Sequence, residues 1–245
     1  MNIRALPLYV TISIFIVAYA ICWTQFPAMF STRVIGNLLT DNAYLGIVAV
    51  GMTLVIISGG IDLSVGSVIA FSGVLIAVLL RETSMHPILV FAILLCLTTA
   101  FGAAMGWIIH ALSMPAFIVT LAGMFLARGI AYIISVDSVP IHDPFYQMLQ
   151  NAYWLMPGRG RLTFIAVLML VIFVAGMVLA HKTRFGTSVY ALGGGEATAR
   201  LMGVQQGRTT VLVYAFSGAM AGLAGIVFSI YTGLGYSLAT VVRPC

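Results

Sequence analysis

Six carboxylates, four histidines, three cysteines and a single lysine are the whole stock from which this 245-residue chain could build acid–base, nucleophilic or metal chemistry. They are dispersed. His86, His110, His142 and His181 stand alone near the ends of apolar runs or in loops, and no histidine–carboxylate cluster marks a metal site. Cys22 and Cys96 fall inside apolar runs and Cys245 is the last residue, so no disulfide framework is implied. No nucleophile is grouped with a base and an orienting acid. The run Gly193-Gly194-Gly195 lacks the lysine and following hydroxyl of a phosphate cradle, which excludes an ATP site there. The chain reads as non-catalytic, with no cofactor and no metal.

What remains are polar residues in apolar surroundings. Ser58-Gly59-Gly60-Ile61-Asp62-Leu63-Ser64-Val65-Gly66 separates the apolar runs Ala43 to Ile57 and Val65 to Leu80. Both runs are short against the ~20 residues that a helix needs to cross a bilayer. Asp62 is therefore either an N-cap at the membrane surface, its carboxylate accepting from the next helix, or part of irregular backbone held below the surface. Backbone of that kind lines a path or is sheltered by protein. On the second reading Asp62, Ser64, Thr120 and Trp107 are candidates for a translocation path, with Trp107 either packed against lipid or a neighbouring helix, the reading its place inside an apolar run favours, or stacked on a sugar face. Arg128 lies six residues from the end of its run, about 9 Å by helical rise. It either snorkels or pairs with Asp41 or Glu82.

These residues must be held by membrane helices. Hydrophobic residues make up 62% of the chain and charged ones 7%, against about a quarter charged in a soluble domain. The expected fold is all-α, a polytopic bundle forming one domain over 1–245. Seven spans are predicted: Leu6 to Trp23, Ala43 to Ile57, Val65 to Leu80, Pro87 to Ile109, Met114 to Ile134, Leu162 to Ala180 and Val211 to Tyr231. The net charge of +5 makes no basic patch, so nucleic acid is excluded as a partner. Gly102-x-x-x-Gly106 and Gly218-x-x-x-Gly222 predict close helix crossings. Between spans, an external loop at 135–161 is broken by prolines and glycines. Its segment Phe145 to Trp154 has the spacing of an amphipathic helix on the membrane surface.

The other long polar stretch, 181–210, is the place where the chain can meet something soluble. Lysine and arginine counted on alternate sides divide five against five, so the bias rule leaves the global orientation open. Locally this island carries four basic residues and one acid, whereas 135–161 carries two of each. That comparison places the island in the cytoplasm. A short helix is expected from Glu196 to Met202, with Glu196 and Arg200 paired at i,i+4.

Thr183-Arg184-Phe185-Gly186, Tyr190-Ala191-Leu192-Gly193-Gly194, Ala199-Arg200-Leu201 and Gly203-Val204 resemble the cytoplasmic signature of permease subunits of ribose-type sugar ABC importers. The Ser58 to Ser67 segment, Pro115 to Leu121 with Met124 and Arg128-Gly129, and Gly218 with Gly222 to Ile226 resemble the same family. Thr24 to Pro27, Ser31 to Ile35, Leu39 to Ala43 and Ile226 to Thr232 are most similar to one of the two permeases of the bacterial galactofuranose importer. The resemblance implies an inner-membrane permease, a cytoplasmic ATPase subunit, a second permease chain in a heterodimer, a periplasmic binding protein and a monosaccharide. It also implies that 181–210 is the ATPase-coupling loop, through Gly193, Gly194, Glu196, Ala199, Arg200, Leu201 and Gly203.

Two positions depart from the family pattern. Gly195 stands where the family usually has Asn. From about Ala239 the resemblance stops, and Thr240 to Cys245 reads as the tail of a truncated frame of a fold with about ten spans. An inert fragment is therefore one alternative. A secondary transporter is another, but it would place ionisable groups at mid-membrane in several spans, and only Asp62 qualifies here.

Overall fold

The computed structural model describes residues 6–26, 31–157 and 160–235; the segment from Tyr236 to Cys245, where the resemblance ends, lies outside them. The helices are α1 (Leu6–Gln25), α2 (Thr32–Asp41), α3 (Ala43–Ile57), α4 (Val65–Glu82), α5 (Pro87–Ala111), α6 (Ala116–Ile134), α7 (Pro144–Gln150), α8 (Phe164–Lys182), α9 (Arg184–Gly194), α10 (Glu196–Leu201) and α11 (Gln206–Thr232). Two small antiparallel pairs join them, β1 (Val139–Pro140) with β4 (Leu234–Gly235) and β2 (Tyr153–Met156) with β3 (Gly160–Thr163).

Five helices, α4, α5, α6, α8 and α11, are long and apolar enough to cross a membrane, and α2 with α3, bent by 55°, makes a sixth. This is a polytopic helical membrane protein. The expected seven spans differ at one place: α3, at fifteen residues, reaches crossing length only together with α2. The expected first span, Leu6 to Trp23, falls within α1, of which the side chains of residues 6–8 and 23 lie outside the described ones. Ser31 caps α2, a ten-residue helix, by accepting from the Val34 N–H.

The bundle is built around α11. On one side it meets α5 through the two small-residue motifs. A Cβ on Gly102 would strike the Tyr214 carbonyl and lie 3.2 Å from the Gly218 Cα, and a Cβ on Gly218 would strike the Thr98 carbonyl. Backbones this close need glycine at both crossings. On another side Gly51 of α3 leaves room for Met220, and toward the C-terminal end of α11 Tyr44 meets the Phe228 ring edge-on at 4.9 Å. Gly225 accommodates Ser72 of α4. Those pairings make α3 and α5 antiparallel to α11 and α4 parallel to it. The buried hydroxyls of Ser72, Thr98 and Ser229 each donate to a carbonyl one turn back, so none enters the apolar core unpaired.

The segment expected to lie on the membrane surface is instead docked on the bundle. Asp143 caps α7 through the Phe145 N–H, Pro144 opens it, and it ends after seven residues. Tyr146, 1% exposed, comes within 3.1 Å of the Ser229 hydroxyl, and burial raises its phenol well above the ordinary value. Tyr153 and Trp154 belong to β2, not to the helix.

Candidate coupling and translocation site

The glycine turn between α3 and α4 starts at one end of the bundle and dives into it. Gly59, at φ 84°, ends α3 in a Schellman motif in which the Gly59 and Gly60 N–H groups donate to Ile56 and Val55. The chain then passes under Tyr214, whose hydroxyl donates to the Ile61 carbonyl at 3.1 Å. A Cβ on Gly60 would lie 2.6 Å from that hydroxyl, so residue 60 is glycine for lack of room.

Asp62 follows, 3% exposed. Its Oδ1 accepts from the Ser64 N–H at 3.0 Å and the Ser64 hydroxyl at 2.6 Å, and its Oδ2 accepts from the Ser217 hydroxyl at 2.7 Å. Ser217 is eleven residues into α11, about 16 Å along its axis. The turn therefore lies against α11 about three helical turns past its first residue. Ser64 precedes α4 and makes no side-chain cap, because its hydroxyl is taken by the carboxylate. Asp62 is thus not the plain interfacial N-cap that spacing alone allows. Thr120, 0% exposed, donates to Ala116 one turn back and also reaches the Ile61 carbonyl at 3.4 Å. Asp62, Ser64 and Thr120 are brought together around one turn. Trp107, 59% exposed on α5, does not join them.

The stretch expected to couple to an ATPase holds two short helices, α9 and α10. Thr183 caps α9 through the Gly186 N–H while donating to Leu179, and Gly186 sits against the Ala180 carbonyl, so α9 leaves α8 at a sharp corner. Val189 and Leu192 bury the inner face of α9. Gly193 packs on the Ile57 carbonyl with no room for a Cβ. Gly193 and Gly194 are therefore the last residues of α9, and the hinge is Gly195, at φ 149° and ψ 123°. No residue with a side chain holds that conformation easily, which gives the departure from asparagine a structural correlate.

Helix α10 covers Glu196–Leu201, one residue shorter than expected. The Glu196 side chain, and with it the expected pair with Arg200, lies outside the described residues; the Arg200 guanidinium donates to the Gln206 side chain at 3.1 Å. Ala199 is fully buried. Gly203, at φ 77°, closes α10 in a second Schellman motif, with its N–H and that of Val204 donating to Arg200 and Ala199. At the end of this stiff element Leu201 is 90% exposed and Met202 64%.

Residues 34–242 match the model of a family described as "Branched-chain amino acid transport system / permease component". The inner membrane ABC transporter permease protein YjfF of Escherichia coli (strain K12) is 55% identical over 97% of this chain and 72% of its own length. The fructose import permease protein FruG of Bifidobacterium longum is 36% identical over 94% of this chain and 69% of its own. The ribose import permease protein RbsC of Escherichia coli (strain K12) is 36% identical over 86% and 66%. The chain belongs to this permease family. No solved structure matches it.

As a permease component of the sugar ABC importer family it is non-catalytic, and the family implies an ATPase, a binding protein and, in general, a second permease as partners. Two further charges of this permease are accounted for by their neighbours. Arg128 meets neither acid offered for it: Glu82 pairs with Arg81 at 3.1 Å, and Asp41 accepts from the Tyr231 hydroxyl at 3.0 Å. The Arg128 Nε is buried with no hydrogen-bond partner among the described residues.

The Asp62–Ser217 pair was beyond sequence reasoning, because the partners are 155 residues apart. Its one signal was an acid beside two glycines between two short apolar runs.

Proposed function

We propose that α9 and α10 are the surface on which a separate ATPase pushes, and that the turn around Asp62 transmits the push to the path of a galactofuranose-like monosaccharide. The observation that carries the coupling reading is the exposed Leu201–Met202 pair at the tip of a helix capped at one end and anchored by buried Ala199. Two bare apolar side chains in a polar stretch fit a pocket on a partner better than they fit water. The contact of Gly193 with Ile57 links that tip to α3 and so to the glycine turn. Asp62, Ser64 and Thr120 then hold one wall of the path in register. Trp107 contributes where the exposed face of α5 borders a second, different permease chain. The galactofuranose assignment is supported by the segments quoted above and agrees with fructose and ribose permeases among the relatives.

The test is co-expression with the ATPase. Leu201→Glu should lose co-purification and ATP-driven uptake while the permease still inserts. Ala199→Pro removes the Ala199 N–H bond to Gly195 at 2.9 Å, and Gly203→Trp places a bulky residue at positive φ. Both should abolish sugar-stimulated ATP hydrolysis. Normal stimulation in all three variants would refute the coupling reading, and competition of uptake by ribose but not by galactofuranose would refute the sugar.

A further inference from the structure

We propose that the groove between α3 and α8 holds an acyl chain of an anionic phospholipid, with the headgroup on the basic rim where α8 turns into α9. The groove has a volume of about 230 Å³ and lies along the C-terminal halves of both helices. Its walls are apolar: Ala49, Val50 and Ile57 on α3, Phe173 and Met177 on α8. Val50 and Gly176 set how closely the helices approach at its floor.

Apart from Thr53, whose hydroxyl donates to the Ala49 carbonyl one turn back, the polar groups lining it gather at one end. His181 and Tyr190 line it there with ring centroids 6.1 Å apart, and the His181 ring is held by Nδ1 on the Met177 carbonyl at 2.9 Å. Lys182 follows His181 directly and Arg184 opens α9; both are exposed. No acid occurs in the sequence between Asp143 and Glu196, so α8 and α9 bring only basic charges to the rim. A soluble apolar ligand would gain nothing from that rim and a zwitterionic lipid little. An anionic lipid satisfies both parts of the site, because a basic residue near the bilayer surface attracts it by about 1 kcal/mol.

The inference rests on reading 181–210 as the cytoplasmic end, but its test does not involve the ATPase, so the two can fail separately. The permease is purified in mild detergent, exchanged into phosphatidylglycerol or phosphatidylcholine, and its retained lipids are counted by native mass spectrometry. Wild type should retain phosphatidylglycerol over phosphatidylcholine. The double variant Lys182→Gln, Arg184→Gln should lose about tenfold of that preference after allowance for screening. Ala49→Phe, a change at an exposed groove position, should reduce retention of both lipids with no change in thermal unfolding midpoint. Equal retention of the two lipids by wild type overturns the proposal. So does undiminished preference in the double variant, or a groove covered by a second permease chain that excludes lipid.

Discussion

Asp62 uses both carboxylate oxygens inside the protein, and all of its described donors come from its own turn and from α11. That arrangement makes it a clamp. Three donors compensate a buried carboxylate better than any single one, and removing the acceptor leaves two buried hydroxyls and an amide to find others. Asp62→Ala should therefore destabilise by about 1–3 kcal/mol, read as a lower unfolding midpoint in detergent. Asp62→Asn keeps one accepting oxygen and lets the Ser217 hydroxyl turn to accept from the new amide, so it should cost less than the alanine variant. If the asparagine variant melted like wild type yet transported nothing, the charge itself would be required on the path. If alanine and asparagine variants both kept wild-type midpoints, the clamp would be refuted.

At the scale of elements, helix ends decide where the polar work is done. Three helices, α3, α5 and α10, close in the same Schellman pattern, but the one on α5 uses Ser113 at φ 51° where the others have glycine. A side chain at positive φ costs about 1 kcal/mol, so Ser113→Gly should stabilise by somewhat less, about 0.5 kcal/mol after the added freedom of the unfolded chain. A raised midpoint with unchanged insertion would bear this out. The opposite sign holds at Gly203→Ala. The crossing of α5 on α11 should be less forgiving: Gly218→Leu forces a side chain into the Thr98 backbone and should cost about 1–3 kcal/mol, seen as aggregation on detergent extraction.

The elements that were legible from sequence were those whose ends are marked by chemistry. Ala43–Ile57 is bounded by Asn42 and a glycine turn, Pro87 opens α5, and Gly102 with Gly218 signals a close crossing whichever helices are involved. What stayed hidden depended on distant partners. The ten residues of α2 are too few and too mixed to read as a span, and they become one only by continuing into α3. The helical spacing of Phe145 to Trp154 is real for six residues, to Gln150. Tyr146 then goes to Ser229, 83 residues away, and not to lipid. The stretch 181–210 is legible in sequence as a polar island with a short helix from Glu196 on. That Gly193 is a close contact, leaving Gly195 as the break between α9 and α10, depends on the Ile57 carbonyl, again distant.

For the whole molecule the decisive property is sidedness, which charge counting divides evenly. The geometry supplies a relation that counting lacks. Since α8, nineteen residues of apolar helix, separates the α7–β3 region from α9 and α10, these two surfaces lie on opposite sides of the membrane, and a single labelled position on each fixes the orientation of all the helices between. Met148, exposed on α7, and Thr198, exposed on α10, suit this because neither packs in the core. With the native cysteines replaced, Met148→Cys should react with an impermeant maleimide in intact spheroplasts, and Thr198→Cys only after the membrane is opened. An even number of crossings between the two would label both together. The reverse pattern would put α10 outside the cell, where no ATPase could reach Leu201, and would remove the coupling reading while leaving the bundle and its lipid groove as they stand.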